Sequence, residues 1–408
     1  MKKMPTEIKN PGTKRASSAE RIGELIAEKM KKDKTFYLFS PDETTSNKLD
    51  KAYETGEARA WDAPKKPYDL PEQGNGRIVE LLSENTLFAT MVGHILGSRE
   101  PAMMTSYESF FNVVTSQIIQ HLKFLKQADN AKDRKSYPAL NLLSTSTCWR
   151  QDHNGFSHQS PALISTLLSI PNAKVNCLFP VDDVAATATF DYMLATKNVV
   201  NLTTFNKTEE PRWIDINHAK FQFVNGGASL FGFASTDQNG NLVDADSADY
   251  IFTAAGDIPT REAIYAVNIL MEDIPEIRIR FVGINALTPG AIGTYGNKLS
   301  HQNFAELFGR DENIPIVANF HGYPETLKTI LGNYTNSFRV RAHGFVDEGT
   351  TTTPFEMLSL NHASRYDLAL EVAKDLNRTD LIEKYQGILM ANYIHANKYG
   401  DDLAELVV

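Results

Sequence analysis

Residues 137–161 read YPALNLLSTSTCWRQDHNGFSHQSP, and the fold turns on how this stretch divides. Its first part, YPALNLLSTST, is a short apolar run of the kind that forms a buried strand. Its second part, QDHNGFSHQSP, holds two histidines five residues apart, an acid, amides, a glycine and a proline. Such a string suits neither a core strand nor a solvated helix face. A polar loop leaving a buried strand is the grammar of a parallel α/β sheet, which gathers ligands beyond the carboxyl ends of its strands.

The same grammar extends in both directions. Upstream, SAERIGELIAEKMKKD has helical periodicity with Ser18 as a plausible N-cap, followed by a strand TFYLFS and a polar turn SPDETTSNKL. GRIVELLS reads as a strand, ENTLFATMVGHILG as a helix, and PAMMTSYESFFNVVTSQIIQHLKFLKQA as a strand end feeding a long amphipathic helix. Downstream come strand VNCLFP, helix DDVAATATFDYMLAT and strand NVVNLTTF. After a Gly/Asn/Asp-rich connection the alternation restarts with ADYIFTAAG and continues through IRIRFVGIN, IPIVANFHG and FRVRAHGF, with helices between and after. The pattern predicts two doubly wound, mostly parallel-sheet α/β domains. Their bounds are a leader and helix over 1–30, a first domain over 31–215, a linker over 216–240 and a second domain over 241–408.

Composition narrows the function. The 408 residues are 42% hydrophobic and 22% charged, with a net charge of −9, the profile of an ordinary globular protein. The short basic runs KNPGTKR and KMKKDK read as solvated surface, so no nucleic-acid partner is expected. No apolar stretch has the length of a membrane span and no signal peptide opens the chain, which predicts a cytoplasmic protein without a membrane partner. Cys148 and Cys177 lack metal-ligand spacing and read as reduced, buried thiols.

Four polar or aromatic sets fall at strand ends. In the loop after YPALNLLSTST, Asp152, His153 and His158 are of types that ligate metals, but nothing supplies the remaining ligands, and no metal site is assigned to this chain. In LLSEN, Glu84 lies where a carboxylate commonly caps a helix. In SPDETTSNKL, Ser46, Asn47 and Lys48 combine hydroxyl, amide and ammonium, a set that can cradle phosphate. In SYESFF, Tyr107, Phe110 and Phe111 have the spacing of a core cluster.

Taken together the four sets resemble a known family. SPDETTSNKL, LLSEN, TSYESFF, QDHNGFSHQ and NKTEEPRW are similar to the pyrimidine-binding domain of thiamine-diphosphate-dependent phosphoketolases. FASTDQ, AAGDIPT, NFHGY and HGFVDEGTTTTPFEM are similar to the C-terminal domain of the same enzymes. The resemblance implies a transketolase-like pyrimidine domain followed by a transketolase C-terminal-like domain. It implies that Glu84 pairs with the aminopyrimidine ring of thiamine diphosphate, with Leu82, Tyr107 and Phe110 packed around that ring. His153 and His158 would handle the substrate, His158 moving the proton, and Asn154 would steady the two-carbon fragment. An imidazole, whose ordinary pKa lies near neutrality, suits that work. Ser46, Lys48, His153 and Lys207 match positions holding the sugar phosphate or inorganic phosphate, and Glu43 and Gln151 match site-lining positions.

Two positions depart from the family pattern. Asn85 stands where the family commonly has histidine, and Lys48 where it commonly has arginine, which exchanges a bidentate fork for a point charge. The sequence also contains no GDG-type motif of a diphosphate-binding domain. The expectation is therefore half an active site, with the diphosphate-binding domain and its magnesium ligands in a longer chain or a separate subunit, in a homodimer. Two other readings stand beside it: a transketolase-like subunit with an altered acceptor, and a non-catalytic paralogue acting as a binding or regulatory subunit.

Overall fold

The computed structural model describes residues 4–41, 43–61, 72–131 and 136–407; Asp42 of SPDETTSNKL lies outside them. The chain forms two units. One holds the chain up to Thr147 together with Asn172–Lys220, and the other holds Cys148–Pro171 together with the chain from Phe221 onward. Residues 148–171, which the sequence reading keeps within its first domain, thus cluster with the second unit.

In the first unit the strands lie in the order Val175–Leu178, Val200–Thr204, Leu140–Thr145, Ala102–Tyr107, Tyr37–Ser40 and Ile78–Glu80, continued by the short Ala58–Arg59 and Glu72–Gln73. Every one of these neighbouring pairs is parallel. All six residues of Leu140–Thr145 are buried, as a strand covered on both faces requires. A one-residue slip would leave apolar residues on both faces, so hydrophobicity alone specifies register weakly here. Three asparagines supply what it lacks. Asn176 donates its Nδ2 to Asn201 Oδ1 at 2.8 Å, and Asn201 donates its own Nδ2 to Asn141 Oδ1 at 2.8 Å and to Thr196 Oγ1 at 2.9 Å. These residues sit opposite one another in the ladder and are at most 1% exposed.

The chain's start is packed onto this unit. Arg15–Ser17 pairs antiparallel with Glu209–Pro211, and the Gly12 N–H donates to the Arg212 carbonyl at 2.8 Å. Helix Ser18–Lys32 is capped by Ser17, not Ser18: the Ser17 Oγ accepts the Glu20 N–H at 3.2 Å and donates to the Lys207 carbonyl at 2.9 Å. Asp182 caps helix Asp183–Ala195 through the Ala185 N–H at 2.7 Å and also accepts the N–H groups of Trp213 and Ile214.

The second unit has strands in the order Ala228–Leu230, Ile279–Ile284, Tyr250–Ala255, Ile316–Phe320 and Val340–His343, parallel except for the antiparallel first. The segment 216–240, read as a linker, therefore supplies an edge strand, and it also contains helix Ile216–Val224. Helices Asp257–Asp273 and Arg365–Asp375 are joined by a bidentate pair in which Arg365 Nε and Nη2 each donate to a Glu262 oxygen at 2.8 Å. Helices His301–Phe308, Pro354–Leu360 and Thr379–Tyr399 and the antiparallel strands within 286–298 were not anticipated from sequence. Cys148 and Cys177 are buried and form no disulfide. Among the described residues no helix is long and apolar enough to cross a membrane.

Two outcomes follow for stability. Asn201→Leu removes the buried hydrogen bonds that Asn201 makes with the Asn176 and Asn141 side chains, and should cost about 2–4 kcal/mol in denaturant unfolding. His121, 1% exposed with neither ring nitrogen hydrogen-bonded, is pushed down to about 4 by burial. Its folded value lies below its unfolded one, so the unfolded chain binds the proton first and stability is lost as pH falls from about 6.5 to 4. His121→Leu should remove on the order of 2–3 kcal/mol of that acid sensitivity, read from melts across the window.

Candidate active site

Because the first unit's strands are parallel, their carboxyl ends emerge along one edge. After Tyr37–Ser40 the chain turns through Glu43, Ser46, Asn47 and Lys48; after Ile78–Glu80 it reaches Leu82 and Glu84; Ala102–Tyr107 ends on Tyr107 itself. After Leu140–Thr145 comes Ser146, and after Val200–Thr204 comes Lys207. The sequence-derived positions of this unit thus collect at the edge where α/β proteins bind ligands.

Glu84 opens helix Glu84–Ser98 but does not cap it. That task falls to Ser83, whose Oγ accepts the Thr86 N–H at 3.4 Å. The capping alternative for Glu84 is thereby answered, and its half-buried carboxyl is left for other partners. The aromatic cluster divides in two. Phe111 is fully buried core, whereas Tyr107 and Phe110 are half-buried and stacked, with ring centroids 5.6 Å apart and planes 21° from parallel. Leu82 is 84% exposed, an apolar side chain with an uncovered surface next to this carboxyl in sequence.

Glu43 is the buried acid of the group, 8% exposed. Its Oε2 accepts the Tyr107 N–H at 2.9 Å, and its carbonyl accepts the Asn47 N–H at 3.0 Å and the Ser46 hydroxyl at 3.1 Å. Burial raises its pKa to about 7; the neighbouring Glu84 adds to the rise, and the Tyr107 N–H opposes it.

The cationic positions differ from one another. Lys207 Nζ donates to Ser146 Oγ at 2.9 Å and lies 5.4 Å from the Tyr107 ring centroid. Ser146 in turn donates to Asn47 Oδ1 at 3.0 Å, so Lys207, Ser146 and Asn47 form one chain of hydrogen bonds. Lys48 points elsewhere: at φ +57° it pairs with Glu20 at 2.9 Å, both side chains substantially exposed. Ser46 is exposed. Ser146 was missed from sequence; its signal, a serine in the STST run after a buried strand, is weak alone.

The histidine loop belongs to the second unit and is held by its neighbours there. Trp149, fully buried, donates Nε1 to the His321 carbonyl at 3.0 Å and meets Phe345 edge-on. Gln151 is the loop's hub: its carbonyl accepts the N–H groups of Asn154 and Gly155 and the Gln159 Nε2, and its Oε1 accepts Asn154 Nδ2 at 2.8 Å. Gln159 also donates to the Thr350 carbonyl at 3.2 Å, and the Thr352 N–H donates to the Asp152 carbonyl at 3.0 Å. His153 and Asn154 are exposed, and the His158 Nδ1 lies 2.9 Å from Ser157 Oγ. His153 and Asp152 also line a cleft of about 730 Å³ with Arg150, Thr351 and Asn397. Gln159 and the 350–352 strip, which sequence reasoning left unassigned, also hold the loop.

Residues 20–196 match the family D-xylulose 5-phosphate/D-fructose 6-phosphate phosphoketolase, and residues 207–407 match that family's C-terminal domain. The chain belongs to the phosphoketolase family. It is 34% identical over 407 residues to a "Probable phosphoketolase" of Rhodopseudomonas palustris (strain HaA2), covering 97% of this chain and 50% of that one. It is 31% identical to one of Bradyrhizobium diazoefficiens, covering 98% and 50%. The chain spans about half the length of the curated relatives it matches. Among solved structures it resembles the transketolase from Leishmania mexicana at TM-score 0.64 and 12% identity, over 92% of this chain and 47% of that one. It also resembles a "Split gene transketolase, inactive beta4 tetramer" at TM-score 0.57 and 15% identity, over 88% of this chain and 98% of that one. The fold of this phosphoketolase-family chain is transketolase-like α/β.

Gly155 makes the histidine loop testable in isolation. It adopts φ +68°, and a Cβ there would stand 2.8 Å from Thr351 Oγ1. Gly155→Ala should cost about 1–2 kcal/mol and loosen residues 151–159, seen as faster amide exchange across the loop.

Proposed function

We propose that this chain is the pyrimidine-binding and C-terminal part of a thiamine-diphosphate-dependent phosphoketolase. The complete enzyme cleaves xylulose 5-phosphate, or fructose 6-phosphate, with inorganic phosphate to acetyl phosphate and an aldose phosphate. The observation that carries the reading is Glu84, released from capping by Ser83 and set in the electrostatic reach of Glu43, whose partner Tyr107 stacks on Phe110. A half-buried carboxyl, half-buried aromatic faces and the exposed Leu82 at one strand-end edge fit an aminopyrimidine ring, which is apolar on its faces and polar at its edge.

Glu84 hydrogen-bonds the ring nitrogen, while Leu82, Tyr107 and Phe110 exclude water and so strengthen that bond. Thiamine diphosphate, when bound, supplies the electron sink for carbon–carbon cleavage. Lys207 holds a phosphate, its ammonium pre-positioned by Ser146; Ser46 and Lys48 approach the same group, and the exposed Lys48–Glu20 pair is cheap to exchange. His158 moves the proton, His153 and Gln151 line the substrate's path, and Asn154 steadies the two-carbon fragment. The magnesium ligands lie in a diphosphate-binding domain, in the same longer chain or a separate subunit of a cytoplasmic homodimer. The half-length match to the relatives and the likeness to a split-gene transketolase described as inactive both support dependence on that domain.

Acetyl phosphate formation from xylulose 5-phosphate, thiamine diphosphate, magnesium and phosphate tests this, with the chain alone and mixed with a separately made diphosphate-binding domain. Activity is expected in the mixture alone, and Glu84→Ala should lower it by about 10²–10⁴-fold. Turnover by the unmixed chain overturns the half-site reading. Ketol transfer without a phosphate requirement favours the transketolase-like alternative.

A further inference from the structure

Lys207 is held at three points. Its Nζ donates to Ser146 Oγ at 2.9 Å, its backbone N–H donates to Asn206 Oδ1 at 2.8 Å, and its carbonyl accepts the Ser17 hydroxyl at 2.9 Å. The last of these ties crosses 190 residues of sequence. Ser17 is 4% exposed, and its Oγ also accepts the Glu20 N–H at 3.2 Å. One buried hydroxyl thus caps helix Ser18–Lys32 and joins it to Lys207. The backbone around the tie is itself anchored. Ala16 lies opposite Glu210 where Arg15–Ser17 pairs with Glu209–Pro211, and Arg15 Nη2 donates to the Glu209 carbonyl at 2.8 Å. From the other side, Asn206 Nδ2 donates to Glu210 Oε1 at 3.1 Å.

A helix cap needs only an acceptor, which a carboxylate or amide supplies as well as a hydroxyl does. Serine adds a proton, and here that proton goes to the lysine's carbonyl. A lysine ammonium rides on a flexible four-carbon stem, so where it can stand depends on how firmly its backbone is placed. We propose that Ser17 is a positioning residue for Lys207: its hydroxyl fixes the backbone from which the Lys207 ammonium reaches an anion. The proposal rests on the reading that Lys207 holds a phosphate, that of the sugar or the inorganic acceptor. An ammonium already in place binds without having to lose that freedom, so removing the tie weakens phosphate binding and leaves the chemical step alone.

Three substitutions separate the tie from the cap. Ser17→Thr keeps acceptor and donor, Ser17→Asp keeps the acceptor alone, and Ser17→Ala removes both. Exchange of the Lys207 backbone amide is followed by NMR on the full chain. It should be about 3–10-fold faster in Ser17→Asp and Ser17→Ala than in wild type, and unchanged in Ser17→Thr. A serine that serves its helix alone gives another order, in which Ser17→Asp exchanges like wild type. That order overturns the proposal, and so does equal exchange in every variant. Turnover in the mixture with a separately made diphosphate-binding domain gives the second readout. The uncharged Ser17→Ala should raise the KM for inorganic phosphate or for xylulose 5-phosphate about 3–10-fold, with kcat within about twofold. Ser17→Thr should restore it, and the KM that rises identifies which phosphate Lys207 holds. Faster exchange with both KM values unchanged sinks the phosphate reading of Lys207, while the exchange result by itself decides the tie.

Discussion

The buried amide ladder Asn176–Asn201–Asn141 is the constraint on which the first unit's edge depends. Strands apolar on both faces can slide by a residue with little loss of burial, but a buried amide that loses its partner is heavily penalised. The ladder therefore pins three neighbouring strands at one register. Their carboxyl ends then fall at fixed heights, so that Ser146 after one strand receives the ammonium of Lys207 after the next at 2.9 Å. Asn47, from a more distant strand end, joins through Ser146 at 3.0 Å. A single slip would separate these groups by about 3.3 Å per residue, more than a hydrogen bond can absorb.

Register fixes backbone positions, and electrostatics then differentiates the side chains placed there. Glu43 and Glu84 are the same residue type one strand apart, yet one is deeply buried against a backbone N–H and the other lies half-buried at a helix start. Ser83 relieves Glu84 of the cap, which would otherwise tie its carboxyl to the helix. In the second unit the division is different: Gln151 gives its amide oxygen to the Asn154 side chain and Gln159 donates its amide to the Gln151 and Thr350 carbonyls, while His153 and Asn154 lie at the surface. Gly155 is required because the loop passes Thr351 too closely for a side chain.

Much of this was legible in the sequence, for identifiable reasons. The fully buried strands are apolar runs bounded by polar turns, and the helices between them carry clear periodicity, so the element order is readable. The cap at Ser17 was misplaced by one residue because two serines stand together and only the backbone decides which is extended. Helix Thr379–Tyr399 was missed because its exposed face carries Met390, Tyr393 and Ile394, which blurs the apolar stripe. The positions at strand ends were found through motif spacing. Their states were not: that Phe111 is core while Phe110 is half-exposed, or that Glu43 is buried, depends on packing between segments far apart in the chain. The asparagines appear in sequence as mere interruptions of apolar strands, and only their alignment across three strands reveals a ladder.

The two departures from the family pattern also acquire physical content. Asn85 is no empty replacement for histidine, since its carbonyl and Oδ1 stand 3.3 and 3.4 Å from Gln117 Nε2, linking the first turn of its helix to the next. Lys48 occupies a left-handed backbone position at the end of its turn and is drawn outward to Glu20. An arginine there would bring a planar fork able to grip two phosphate oxygens; lysine brings one mobile charge already engaged by an acid. The cation with the more defined geometry is Lys207, fixed by Ser146 and lying 5.4 Å from the Tyr107 ring centroid. On the proposed reading, the burden of orienting an anion falls less on the turn after Tyr37–Ser40 than on Lys207, at the strand end that the asparagine ladder holds in place.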